Sequence, residues 1–177
     1  MSRQRWIDEG LAVLAEEGVS AVRIDRIAPR VGLSKGSFFH HFANAAAYRS
    51  ALLDEWRARA VEQLAQAPEV SELAALVAAG DDVVDVRLER AIRAWAQHDP
   101  TAAAALEQVD GERLSALRRA WAARVTDPER ARAAALLPHL VVIGATVARP
   151  ATSQEDLAAV FQLLAELIPA VGGADGG

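Results

Sequence analysis

Val31-Gly-Leu-Ser-Lys-Gly-Ser-Phe-Phe-His-His-Phe42 is the stretch on which the reading of this chain turns. Gly32 ends an apolar helical pattern, Leu33 packs, and Ser34 stands where its hydroxyl accepts a hydrogen bond from the first turn of a new helix. Upstream, Ile24, Ile27 and Val31 share one face and predict a short helix over 24–31. Downstream, Lys35 to His41 is predicted as the next helix. Ser34, Lys35, Gly36 and Ser37 at its start are short or cationic, so the backbone can approach a duplex closely. Lys35 and the N-terminal N–H groups suit a phosphate or a guanine edge. The same spacing also fits a tight αα turn in an ordinary helical domain.

Working outward, helical periodicity recurs in almost every window and alternating strand patterns are absent, so the expected class is all-α with about nine helices. A first helix over 3–17 places Ile7, Leu11 and Leu14 on one face and stops at Gly18. Asn44 is placed to cap a fourth helix over 45–67. Residues 68–81 are less defined, and Gly80-Asp-Asp82 marks a loop before a helix over 83–97. Asp99-Pro100 and Asp127-Pro128 read as cap and first helical residue. Asp110-Gly111 reads as a restart between two helices. Pro138 is expected to kink the helix over 128–148, and Thr152-Ser-Gln-Glu155 reads as a capping box for a last helix over 153–170. The tail 172–177 is expected to be disordered.

The chain has 177 residues, of which 52% are hydrophobic, enough for one globular domain or two small ones sharing an interface. It has no cysteine, which excludes disulfides, thiolate metal sites and cysteine nucleophiles. The net charge of -5 speaks against nucleic acid until it is divided along the chain. Residues 1–49 hold seven basic against five acidic residues, a balance of +2, and the remainder carries -7. Lys35 is the single lysine among 19 basic residues. No apolar run approaches the roughly 20 residues of a membrane span, and the N-terminus is charged where a signal peptide is apolar. A cytoplasmic protein with no membrane association is expected.

Phe38 and Phe42 are expected to close the small core. His41 suits a cap or the core, and Arg3 and Arg5 suit either an arm into the minor groove or a solvated terminus. Arg23, Arg26 and Arg30 offer additional attraction for phosphate. Trp56, Trp95 and Trp121, one on each of three later helices, suit either a core or the lining of a ligand cavity, with His98 nearby in sequence. His98 and His139 lack a ligand at i+3 or i+4, so no metal site is expected, and no cofactor. A nucleophile elbow, a phosphate-cradling glycine loop and a paired-histidine motif are all missing from the sequence, so no enzymatic activity is expected.

The ordered run from Ile7 to Phe42, with Ala15-Glu-Glu-Gly18, Ile27-Ala28 and the stretch quoted first, resembles the N-terminal DNA-binding domain of the tetracycline-repressor (TetR/AcrR) family of bacterial transcription regulators. The resemblance implies a helix-turn-helix domain over 1–46 and a helical ligand-binding and dimerisation domain over 47–171. It implies a homodimer that binds double-stranded DNA, typically a palindromic operator, and responds to a small-molecule effector, here expected to be apolar. DNA contacts fall on Arg23, Ser34, Lys35, Gly36, Ser37, Phe39 and His40. Dimerisation falls on the last two long helices, through Leu136, Leu140, Val147, Leu157, Phe161, Leu164 and Ile168. The chain departs from the family pattern in four places. Phe39 stands where tyrosine is usual, Ala45 where a phosphate-touching lysine is usual, and Arg23 where a threonine or serine caps the second helix. Pro29 sits inside that helix at a cost of roughly 3 kcal/mol. Modest, salt-sensitive DNA affinity is the expectation.

Overall fold

A computed structural model describes residues 2–66 and 85–167. Its eight described α-helices are α1 (Ser2–Glu17), α2 (Ile24–Val31), α3 (Lys35–His41), α4 (Ala45–Gln66), α5 (Val86–Ala96), α6 (Pro100–Ala122), α7 (Pro128–Val147) and α8 (Gln154–Leu167), with one turn of 3-10 helix at Val19–Ala21. The fold is all-α. The less defined segment 68–81 and the tail 172–177 lie outside the described residues.

Local chemistry explains most of the boundaries. Ser34 Oγ accepts from Ser37 N–H at 3.3 Å, and Asn44 Oδ1 accepts from Ala47 N–H at 2.8 Å. Asp99 and Asp127 each accept two first-turn N–H groups ahead of a proline that has none to offer. Asp85 also accepts two first-turn N–H groups, from Arg87 and Leu88, ahead of Val86 at the start of α5. Gly32 ends α2 in the left-handed region at φ 69°, which a β-carbon disfavours. Two expectations need correction. α6 runs unbroken through Asp110-Gly111, because Val109 and Leu117 on either side are both buried and packing holds the helix across the weak point. The capping box lies one residue later than expected. Ser153 Oγ accepts from Asp156 N–H at 3.0 Å and donates to Asp156 Oδ2 at 2.7 Å, so α8 starts at Gln154.

The chain forms two compact units. The first comprises residues 1–62 and 85–109, and its core joins Trp6, Ile7, Leu11 and Leu14 of α1 to Ile27, Val31, Phe38 and Phe42, and onward to Tyr48, Leu52 and Trp56 of α4 and Ile92 and Trp95 of α5. α1 packs against α2, α3 and α5. The apolar core of segment 1–46 continues without a break into α4 and α5. The second unit comprises residues 63–84 and 110–177, with a cluster of Leu117, Trp121, Ala131 and Ala135 and with α7 against α8. Among the described helices α7 is long and apolar enough to cross a bilayer by length and composition, and its Ala131 and Ala135 pack into the cluster with Leu117 and Trp121.

Candidate nucleic-acid interface

The interface begins with what holds α3. Phe38 is fully buried, with Trp6 edge-on at 5.3 Å between ring centroids, Tyr48 at 5.1 Å and Phe42 at 5.2 Å. Tyr48 Oη donates to the Trp6 carbonyl at 2.5 Å, which joins the start of α4 to α1. Burial, followed by the Glu9 charge, pushes the Tyr48 phenol above its ordinary range. Gly10 makes this approach possible: a β-carbon there would stand 2.1 Å from Tyr48 Oη. With Phe38 fixed, the outer face of α3 is fixed as well. Ser34, Lys35, Gly36, Phe39 and His40 are exposed and Ser37 is half-buried. Phe39 meets the Phe38 ring edge-on at 5.4 Å yet leaves 58% of its surface open, a large apolar ring turned to solvent.

The arginines are placed differently from the sequence expectation. Arg3 and Arg5 lie within α1 and form no arm. Arg3 stacks its guanidinium 5.3 Å from the Phe42 ring centroid, and Arg5 donates to the Val31 carbonyl at 2.6 Å. Arg23, before α2, pairs with Asp25 at 2.8 Å and holds that carboxyl below its usual range. Arg26 pairs with both oxygens of Glu17 at 2.9 Å. Arg30 pairs with Glu9 and, at 2.8 Å, with Glu16, whose carboxyl it keeps low. The three α2-side arginines are therefore already engaged by carboxylates of their own chain. Among the described residues Lys35 has no ion-pair partner. His41 neither caps a helix nor enters the core; it is half-buried, with Nε2 2.6 Å from Ser2 Oγ. The α1 carboxylates were not legible as partners, because their pairing depends on how α2 lies against α1.

The tryptophans differ in a way the sequence does not show. In the first unit Trp56 is buried and donates from Nε1 to Glu89 Oε1 at 3.1 Å. Trp95 is buried beside Asp99, whose carboxyl is held low by the Ala102 N–H, the Trp95 indole and the Thr101 N–H. Both indoles are thus secured to carboxylates, as structural core requires. In the second unit Trp121 is buried with no hydrogen-bond partner for Nε1 among the described residues. His98 is exposed in the turn after α5.

On the second unit, Leu140 is 57% exposed and Val147 66%, with Leu137 beside them on α7. On α8 the exposed apolar residues are Val160 and Leu163, while Leu157 and Phe161, expected at a partner's surface, are buried within the chain. The reason is register: one residue rotates a helix face by about 100°. Leu136 and Leu164 are half-buried, and Ile168 lies outside the described residues.

The profile of the bacterial regulatory proteins of the tetR family matches residues 7–47, the span that builds this face. The transcriptional regulator AcuR of Cereibacter sphaeroides is 38% identical over 66 residues, covering 36% of this chain and 30% of AcuR, so the chain matches less than a third of that relative's length. A transcriptional regulator from Rhodococcus sp. Rha1 has the same fold, with a TM-score of 0.73 at 19% identity over 95% of this chain and 96% of that one. So does FadR of Bacillus subtilis, solved with stearoyl-CoA, with a TM-score of 0.61 at 17% identity over 97% and 100%. Residues 7–47 thus match the model of the tetR family of bacterial regulatory proteins, and the chain has the fold of these solved regulators.

Proposed function

We propose that the protein is a ligand-responsive transcription regulator, a repressor that binds a palindromic duplex site as a homodimer and is released by a small-molecule effector. The observation that carries this reading is α3. A serine-capped helix is fixed from behind by Phe38 and presents Lys35, Gly36, Phe39 and His40 to solvent. Its N-terminal N–H groups and Lys35 suit phosphate and guanine, and Phe39 suits a thymine methyl. The exposed apolar residues of α7 and α8 support pairing with a second copy. Two recognition helices would then meet major grooves about 34–36 Å apart. The protein would act in the bacterial cytoplasm, as a binding protein rather than an enzyme.

An apolar effector carrying one hydrogen-bond acceptor is the class that suits Trp121, whose neighbours are Leu117, Val125 and alanines and whose indole N–H is unengaged among the described residues. Selection of bound fragments from the source genome tests the reading. A palindrome enriched by the wild type and lost with Lys35→Ala plus Ser37→Ala supports it; no enrichment, or enrichment unchanged in that variant, counts against it.

A second reading, a helical dimer whose helix-turn-helix has lost DNA, is favoured by the engagement of Arg23, Arg26 and Arg30 within the chain. DNA affinity that appears only after Ala45→Lys and Phe39→Tyr would decide for it.

A further inference from the structure

Glu17 and Arg26 each sit at the wrong end of their own helix. Glu17 is the last residue of α1, where the helix dipole presents its negative end and a carboxylate is disfavoured. Arg26 is in the first turn of α2, where the positive end disfavours a guanidinium. Neither charge serves local helix stability, and the two meet in a bidentate pair, Nη2 at 2.9 Å from both carboxylate oxygens and Nε at 3.3 Å from one. The pair is not buried: the side chains are 57% and 32% exposed. Arg30 differs, being held by Glu9 and Glu16 together with Glu17. Among the described residues Glu17 is the carboxylate that holds Arg26, and its removal frees that guanidinium beside the N-terminus of the helix that precedes α3, where anions are already attracted, while Arg30 keeps Glu9 and Glu16.

We propose that Glu17 is an affinity-setting residue: by pairing with Arg26 it withholds one cation from the phosphate backbone and keeps DNA binding weak. The inference rests on the reading that the first unit binds duplex DNA. A phosphate can displace the carboxylate only by breaking a two-bonded pair, so in the wild type Arg26 adds little to binding. With Glu17 neutral, Arg26 becomes a counter-charge for the duplex.

The test is fluorescence anisotropy of the full chain on a mixed-sequence duplex from about 50 to about 200 mM salt. Glu17→Gln is expected to bind several-fold more tightly at the low-salt end and to steepen the dependence of log K on log salt by about 0.9, the increment for one added phosphate contact. Arg26→Ala alone is expected to leave the wild-type slope unchanged, and Glu17→Gln plus Arg26→Ala to return to it. Far-ultraviolet circular dichroism checks that each variant is folded, as expected for a neutral side chain at a helix C-terminus. An unchanged slope in Glu17→Gln, with the wild type binding, overturns the inference and leaves the DNA-binding reading standing. A gain that persists in the double variant also overturns it, because removal of a negative charge, not release of Arg26, would then be the cause. If only Glu17→Gln binds, the inference is supported in its strongest form. If no variant binds at any salt, the DNA-binding reading falls and this inference falls with it.

Discussion

At the scale of single residues, two glycines give opposite predictions from the same substitution. Gly10→Ala places a methyl group 2.1 Å from Tyr48 Oη and 2.8 Å from Leu52 Cδ2. Side chains in a packed core must shift and the Tyr48 bond to Trp6 must break, so denaturant unfolding should show a loss of about 2–4 kcal/mol. Adding Tyr48→Phe removes the atom nearest the methyl group, and the double variant should be more stable than the sum of the two single losses predicts. Gly111→Ala, by contrast, meets nothing within 4 Å in the middle of α6 and should raise stability by about 0.5–1 kcal/mol. Tyr48 is the chain's one tyrosine, which makes its ionisation directly observable. Its phenol is raised in the folded state, so the stability it contributes is complete below the ordinary tyrosine value of about 10 and is lost as pH rises beyond it. Phenolate absorbance should therefore appear together with loss of helical signal, and phenolate formation in a fully helical protein would refute the burial argument.

At the scale of elements, caps were the part most legible in the sequence. Ser34, Asn44, Asp99 and Asp127 each do what their position suggested, because a cap is a contract between residues two or three apart. Asp99→Ala should cost about 1 kcal/mol and flatten the acid limb of the stability profile. The Asp99 carboxyl is held low when folded, so its contribution is present above the ordinary aspartate value and disappears as pH falls through the folded one. A chemical-denaturation series across acid pH, comparing wild type and variant, checks both the size and the sign. Legibility failed where the deciding partner is distant in sequence. Asp110-Gly111 has the chemistry of a break, yet burial of Val109 and Leu117 carries α6 across it. Arg3 and Arg5 look like a free basic arm until the Phe42 ring and the Val31 carbonyl come within reach.

At the scale of the whole molecule, the apolar stripe of α8 was visible but its orientation was not. Leu157 and Phe161 face inward and Val160 and Leu163 outward, a difference that depends on where α7 lies. If the outward residues of α7 form the seam between two copies, Leu140→Asp plus Val147→Asp should halve the mass in sedimentation equilibrium while leaving helicity unchanged. A monomeric wild type, or an unchanged mass in the variant, would remove that seam from the proposal. The twofold division of charge, basic in front and acidic behind, was legible from the outset. What it conceals is that most of the front's cations are occupied within the fold, so net charge overstates what a polyanion meets.

The exposed position of Lys35 makes the chain its own footprinting reagent. Being the single lysine, it is one of only two ordinary amine targets for an acylating reagent, the other being the chain's α-amino group. Near neutral pH an acylating reagent takes α-amines before lysine side chains in general, so a first mild treatment blocks the α-amino group. With the α-amino group blocked first, a second acyl group added at higher pH and read by intact mass would report how often the start of α3 is open to solvent, and its suppression by a duplex would measure occupancy with no label on the DNA.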